Sequence, residues 1–266
     1  MLWNIRAYNS LSTLLGNLSL FIFTLDSIPY TKAWLQYPSD GIATMTHYTL
    51  PENYIASCGC TAASTHFPTA ALSQQAYGSS TAYGPGCGRC FKLTLLNTFL
   101  SDPPFFPDVA KSIVVKITDL CPAPGGTWCS ATASQPNEGG SFLNFDLAWP
   151  SPAIPDDFFP SNASFYGYTD FGVWNISYES VSCLQDWAGS KQRAALGSVD
   201  DGSSACCPAD PTGNPNNTCP SFSDNAGVVP PNTTNPSATS PASTTFAIPS
   251  LTCVLLIPFI LYHLLL

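Results

Sequence analysis

Ten of the chain's 11 cysteines fall between Cys58 and Cys219, while Cys253 stands in an apolar terminal run. An even number of cysteines crowded into the middle of a chain predicts a domain stapled by disulfides, five bridges if all ten pair, formed in an oxidising compartment. Spacing alone does not give their connectivity. Cys87-Gly88-Arg89-Cys90 also has the C-x-x-C spacing of a zinc site, and Cys58-Gly59-Cys60 is its imaginable partner. One member is C-x-C, however, and the three histidines, His47, His66 and His263, show no ligand spacing. No metal is expected, and the histidines are read as surface or packing residues.

Both ends read as targeting signals. Arg6 precedes an apolar run over residues 14–25, interrupted mainly by Asn17 and Ser19, and small or polar residues follow to Ala33. That is the pattern of a cleaved signal peptide over residues 1–33; a membrane anchor needs about 20 uninterrupted apolar residues. At the other end, residues 246–266 are almost wholly apolar and follow a Pro/Ser/Thr-rich stalk over residues 226–245. No Lys or Arg follows Arg193, so the cationic flank of an ordinary spanning helix is missing. A glycosylphosphatidylinositol attachment signal, with small residues at 237–240, is expected, with a retained membrane helix as the alternative. Membrane contact is expected only through this C-terminal anchor, on a protein secreted or held at the cell surface.

Residues 34–225 remain as one folded domain, expected to be monomeric. Sequons at Asn162, Asn175, Asn216 and Asn232 agree with a secretory route. Lys+Arg is 8 against Asp+Glu 17, a formal net charge of −9. A surface so poor in cations is not built to neutralise phosphates, and nucleic acid is excluded as a partner.

Within the domain the periodicity is mostly that of strands. Residues 112–118 (SIVVKIT) are rich in β-branched side chains, residues 89–96 (RCFKLTLL) alternate, and residues 171–178 (FGVWNISY) alternate aromatic with polar. One helix is predicted, over residues 68–77 (PTAALSQQAY), with proline at its start and Gly78 just past its end. Short strands, Gly/Pro turns and no βαβ rhythm predict an all-β closed barrel.

Two aspartates stand out by parity. Ile113, Val115 and Ile117 share one face, and Asp119 continues that parity just past the expected strand end, beside Cys121 and Pro122. In residues 142–147 (FLNFDL), Leu143, Phe145 and Leu147 form an apolar face, so Asn144 and Asp146 point the other way, into whatever groove covers the barrel. Paired carboxylates suit glycosidic hydrolysis, in which a protonated acid donates to the leaving oxygen and a base on the opposite face activates water. Neighbouring aromatics such as Phe145 and Trp149 would raise the pKa of Asp146 by excluding water. The plainer reading makes Asp119 a turn cap and Asp146 a surface acid.

The ordered set Cys87-Gly88-Arg89-Cys90-Phe91, residues 113–122 (IVVKITDLCP), Asn144-Phe145-Asp146-Leu147 and Val181-Ser182-Cys183 resembles glycoside hydrolase family 45 over residues 44–207. It is most similar to the fungal branch that is itself like expansins and loosenins. The resemblance implies a six-stranded double-psi β-barrel with disulfide-braced loops and an open groove for β-1,4-glucan such as cellulose, cut internally with inversion and without a cofactor. It implies Asp146 as general acid and Asp119 as an assisting groove residue. Tyr48, Trp128, Asn144 and Trp149 are the candidate substrate-binding residues. Thr46-His47-Tyr48 looks like the start of the segment whose aspartate is the base in many members, but that position here is Leu50. The amide base of the expansin-like branch would fall near Gly125 and Gly126, which leaves Glu52, Asn137 and Glu138 as substitutes. The function expected is an endo-β-1,4-glucanase, with a non-hydrolytic wall-loosening binder as the alternative.

Overall fold

Residues 112–121 form the strand that the run of β-branched side chains predicts, and the rest of the barrel closes around it. The computed structural model of the chain describes residues 37–197 apart from 81, 125 and 126, together with 205–212 and 217–219. The expected signal segment, stalk, hydrophobic tail and attachment site lie outside the described residues, as does Cys253. Among the described residues no helix is long and apolar enough to cross a membrane.

Among the described residues there are six strands: β1 (Asp40–Tyr48), β2 (Thr69–Ser73), β3 (Cys90–Thr98), β4 (Ser112–Cys121), β5 (Asn144–Ala148) and β6 (Trp174–Val181). They close in the order β1-β5-β2-β4-β3-β6, with β1/β5 and β2/β4 parallel and the other neighbours antiparallel. This is the expected double-psi β-barrel. Alternate residues fill its interior: Ala43 and Met45, Ala70 and Leu72, Leu93 and Leu95, Val115 and Ile117, Phe145 and Leu147, Trp174 and Ile176, each at most 4% exposed. Strand alternation therefore sorts core from wall on all six strands.

The predicted helix over 68–77 is a correction. Thr69–Ser73 is strand β2, and only Gln74–Tyr77 is helical, ended by Gly78 with φ 86°. β2 lies between β4 and β5 and is covered on both faces, so all five of its residues are buried. A fully buried strand loses the polar alternation that marks a strand, and pairing overrides the helical preference of its alanines. Aromatic alternation also placed β6 early: it starts at Trp174, and Phe171, just before it, stacks instead on Phe105 of the loop between β3 and β4.

All ten described cysteines pair, as Cys58–Cys87, Cys60–Cys207, Cys90–Cys183, Cys121–Cys129 and Cys206–Cys219. Cys87 and Cys90 thus go to different partners, which removes the thiolates a zinc site would need. Cys90–Cys183 lies in a second, smaller core with Trp187 and Ala195. Against it stands a buried cation that sequence periodicity did not flag. Lys116 is wholly buried, donates its Nζ to the Leu196 carbonyl and lies 5.3 Å from the Trp187 ring centroid. Burial lowers its pKa to about 7, against the opposing pull of Asp210.

Candidate functional site

The two aspartates meet across β2. The register pairs Thr46 with Asp146, Asp146 with Ala71, and Ala71 with Asp119, so β1, β5, β2 and β4 contribute one residue each to a single row. Ala71, buried between them, separates the two positions that carry the carboxylates. Two strand spacings, about 9.6 Å, separate the backbones that carry the carboxylates.

Asp119 reaches this row through a bulge. Between Ala70 and Ala71 the β2/β4 register shifts, leaving Thr118 as the extra residue on β4. Parity flips there, so Ile117 and Leu120 both belong to the core and Asp119 does not continue their face. The sequence parity had put Asp119 on the Ile117 face, beyond the strand; the strand instead runs on to Cys121. Asp119 is 5% exposed and accepts four hydrogen bonds. Ser57 N (3.0 Å), Ser57 Oγ (2.8 Å) and Leu120 N (2.9 Å) donate to Oδ1, and the Tyr48 hydroxyl (3.1 Å) donates to Oδ2. Burial, then the charges of Asp119 and Asp146, push the Tyr48 phenol well above its ordinary pKa, so it stays a donor.

Asp146 is held differently. It is half-buried on the outward face of β5, with the Thr46 hydroxyl donating to Oδ1 at 2.7 Å. Burial raises its pKa, and Asp119 adds to the rise, against the Thr46 bond and His47. Behind Thr46 runs a line of hydrogen bonds in one direction: Asn137 Nδ2 to Thr44 Oγ1 (2.8 Å), Thr44 Oγ1 to Asn144 Oδ1 (2.8 Å), and Asn144 Nδ2 to Thr46 Oγ1 (2.9 Å). The Cys121–Cys129 bridge packs on it, with Cys121 Sγ 3.8 Å from Asp146 Oδ2 and Cys129 Sγ 3.3 Å from Asn144 Nδ2. Gly139 lets the covering loop approach, since a Cβ there would lie 2.5 Å from Thr44 Cγ2.

The other expected site residues are scattered around this row. Asn144 is wholly buried with its amide taken at both ends, so it has no open face for a ligand. Trp128 is half-buried, its carbonyl accepting from Asn137 Nδ2 and its ring set edgewise on Phe99. Trp149 is half-buried at the end of β5, edgewise on His47 and Phe159, and its buried Nε1 finds no hydrogen-bond partner among the described residues. His47 packs there as expected and also pairs with Asp170 at 3.1 Å.

Of the substitutes for the base, Asn137 is buried and engaged, whereas Glu52 and Glu138 are exposed. Glu52 lines a cavity of about 210 Å³ with Leu50, Asn53, Thr65, His66 and Ala148. Gly125 and Gly126 lie outside the described residues. Among the described residues no three His, Cys, Asp or Glu side chains cluster as a metal site would require. Thr46 and Ser57, which hold the two carboxylates, escaped the sequence reading as functional residues. Only the parallel pairing of segments 100 positions apart brings Thr46 to Asp146.

No curated protein matches the chain. Among solved structures it is similar to the endoglucanase Cel45A of the blue mussel Mytilus edulis, at 22% identity over 60% of this chain and 88% of that one, with a TM-score of 0.41. It is also similar to the GH45 endoglucanase EG27II in complex with cellobiose, at 19% identity over 58% and 88%, TM-score 0.39. The apo expansin of Clavibacter michiganensis aligns at 19% identity over 53% and 50%, TM-score 0.30. The family model described as EXPB1-like domain 1 matches residues 43–189, more than half of the chain and all six barrel strands but the first residues of β1. The chain therefore belongs to the EXPB1-like domain 1 family, within the double-psi barrels that GH45 proteins and expansins share.

Proposed function

We propose that this chain acts outside the cell on β-1,4-glucan, with Asp146 as the proton donor of an inverting endo-hydrolysis. One observation carries the reading: a half-buried carboxyl on the outward wall, with a raised pKa and one hydroxyl orienting it. A raised pKa keeps the proton on Asp146 where ordinary aspartates have lost theirs. Asp146 gives that proton to the glycosidic oxygen, the C–O bond breaks, and water attacks the anomeric carbon from the opposite face. The carboxylate left behind accepts the Thr46 hydroxyl. Asn144 acts through Thr46 rather than on the sugar, and Asp119 positions Tyr48. Tyr48, Trp128 and Trp149 flank the sugar path, and the five bridges suit an oxidising, extracellular setting.

Leu50 stands where the family 45 resemblance places the base, so the attacking water passes its proton to solvent and hydrolysis is slow. That same residue favours a second reading, in which the row grips the polysaccharide and loosens it without cutting. A reducing-sugar assay on soluble β-glucan decides between them. Release by the wild type that Asp146→Asn abolishes supports hydrolysis; retained cellulose binding with no release from either protein supports the binder. Leu50→Asp is expected to raise release by roughly 10²-fold or more if only the base is missing.

A further inference from the structure

The short helix Ala163–Tyr166 opens on a sequon, and its loop exposes aromatic rings. We infer that Asn162 carries an N-linked glycan whose first sugar lies against the ring of Phe165. Asn162 is exposed, and its Oδ1 accepts the Ser164 hydroxyl at 2.8 Å and the Phe165 N–H at 3.3 Å. The sequon hydroxyl is thereby held on the amide oxygen, while Nδ2, the atom that is modified, has no acceptor among the described residues. In the transfer that nitrogen attacks the anomeric carbon of a lipid-diphosphate-linked oligosaccharide. The C–N bond forms, the C–O bond to the diphosphate breaks with its electron pair, and one amide proton leaves to the transferase.

An independent feature points to the same occupant. Phe165 is 65% and Tyr168 44% exposed, and they join Tyr166 and Phe171 in a chain of ring contacts, 4.8 Å between Phe165 and Tyr166 and 5.3 Å between Tyr168 and Phe171. An exposed aromatic cluster on a soluble domain marks a surface that something covers. A pyranose presents apolar C–H groups to such a ring, and the Phe165 amide already touches the Asn162 side chain. Asn175 offers a poorer site, since it is half-buried within β6 between Thr44 of β1 and Asn97 of β3. The sequon asparagines Asn216 and Asn232 lie outside the described residues.

The inference rests on the extracellular reading and is tested on the full chain secreted from a eukaryotic host. Peptide mass spectrometry is expected to find hexosamine on Asn162 in most molecules, lost in Asn162→Gln and Ser164→Ala and kept in Ser164→Thr. Enzymatic deglycosylation of the folded protein is expected to raise apolar-dye fluorescence several-fold, a rise that Phe165→Ala removes. Bare Asn162 in a secreted chain glycosylated at another sequon overturns the proposal. Absence of glycan from every sequon of the secreted chain overturns it while leaving the extracellular reading standing, whereas a chain retained inside the host overturns that reading, and dye binding unchanged by deglycosylation overturns the contact with Phe165.

Discussion

Asp119 and Asp146 stand on either side of Ala71 in one row, yet the barrel treats them in opposite ways. Asp119 is sunk beneath four donors, two of them backbone N–H groups, and ties together Tyr48, Ser57 and the backbone at Leu120. Asp146 has a single hydroxyl donor, and burial prevails over it to raise its pKa. The difference teaches that carboxyls one residue apart in the same row can be held by quite different sets of donors, and that such a set bears on what each carboxyl can do.

The strongest way to break that comparison is to neutralise each aspartate in turn. Asp146→Asn is expected to cut glucan hydrolysis by about 10²–10⁴ while leaving the thermal transition nearly unchanged, as general acid catalysis of that size would require. Equal loss of fold and activity would erase the distinction. Asp119→Ala should do the reverse in kind, destabilising the protein by about 3 kcal/mol or more because Ser57 N, Leu120 N and the Tyr48 hydroxyl lose their acceptor in a buried setting. A denaturant midpoint that stays put would show Asp119 to be dispensable as scaffold.

Lys116 extends the contrast to a cation. Its folded pKa of about 7 lies below the ordinary 10.5, so above pH 7 the unfolded chain binds more protons than the folded one. The stability contribution is therefore fully present above about pH 10.5 and is lost as pH falls towards 7. Between pH 7 and 9 it should amount to about 2–3 kcal/mol, a slope that Lys116→Met should flatten. A pH-independent midpoint in the wild type would mean that the Leu196 carbonyl and the Trp187 ring fully compensate for burial.

The smallest and sharpest test removes the one donor on the acid. Thr46→Val deletes a bond that holds the pKa of Asp146 down, worth about 1 kcal/mol. Activity that requires protonated Asp146 falls as pH rises through its pKa, so the alkaline limb of the pH–rate profile should move upward. An unmoved limb would assign that limb to another group.

Much of the barrel was legible because its signals are local. Alternation in residues 112–118 and 142–147 marked β4 and β5, and the parity of Leu143, Phe145 and Leu147 left Asp146 on the outer wall, where the structure has it. β2 was read as helix because a strand buried on both faces has no polar face to betray its period, and β1 was noticed only for Thr46-His47-Tyr48. At the site, the aspartates could be picked out by their neighbours along the chain. Thr46 could not, because nothing near it in the sequence says that it pairs with residue 146. Nor could the bulge at Thr118, which turns Asp119 out of the core.

Residue order alone pointed to ten oxidised cysteines, to short strands closing into a barrel and to Asp146 on its outer wall, since these follow from composition and period. Which cysteine meets which, that Ala71 separates the two carboxyls, and that one receives four donors and the other a single hydroxyl were decided by tertiary structure. Strand register and burial are properties of segments brought together across as many as 147 positions of chain, and pKa and positioning follow from them.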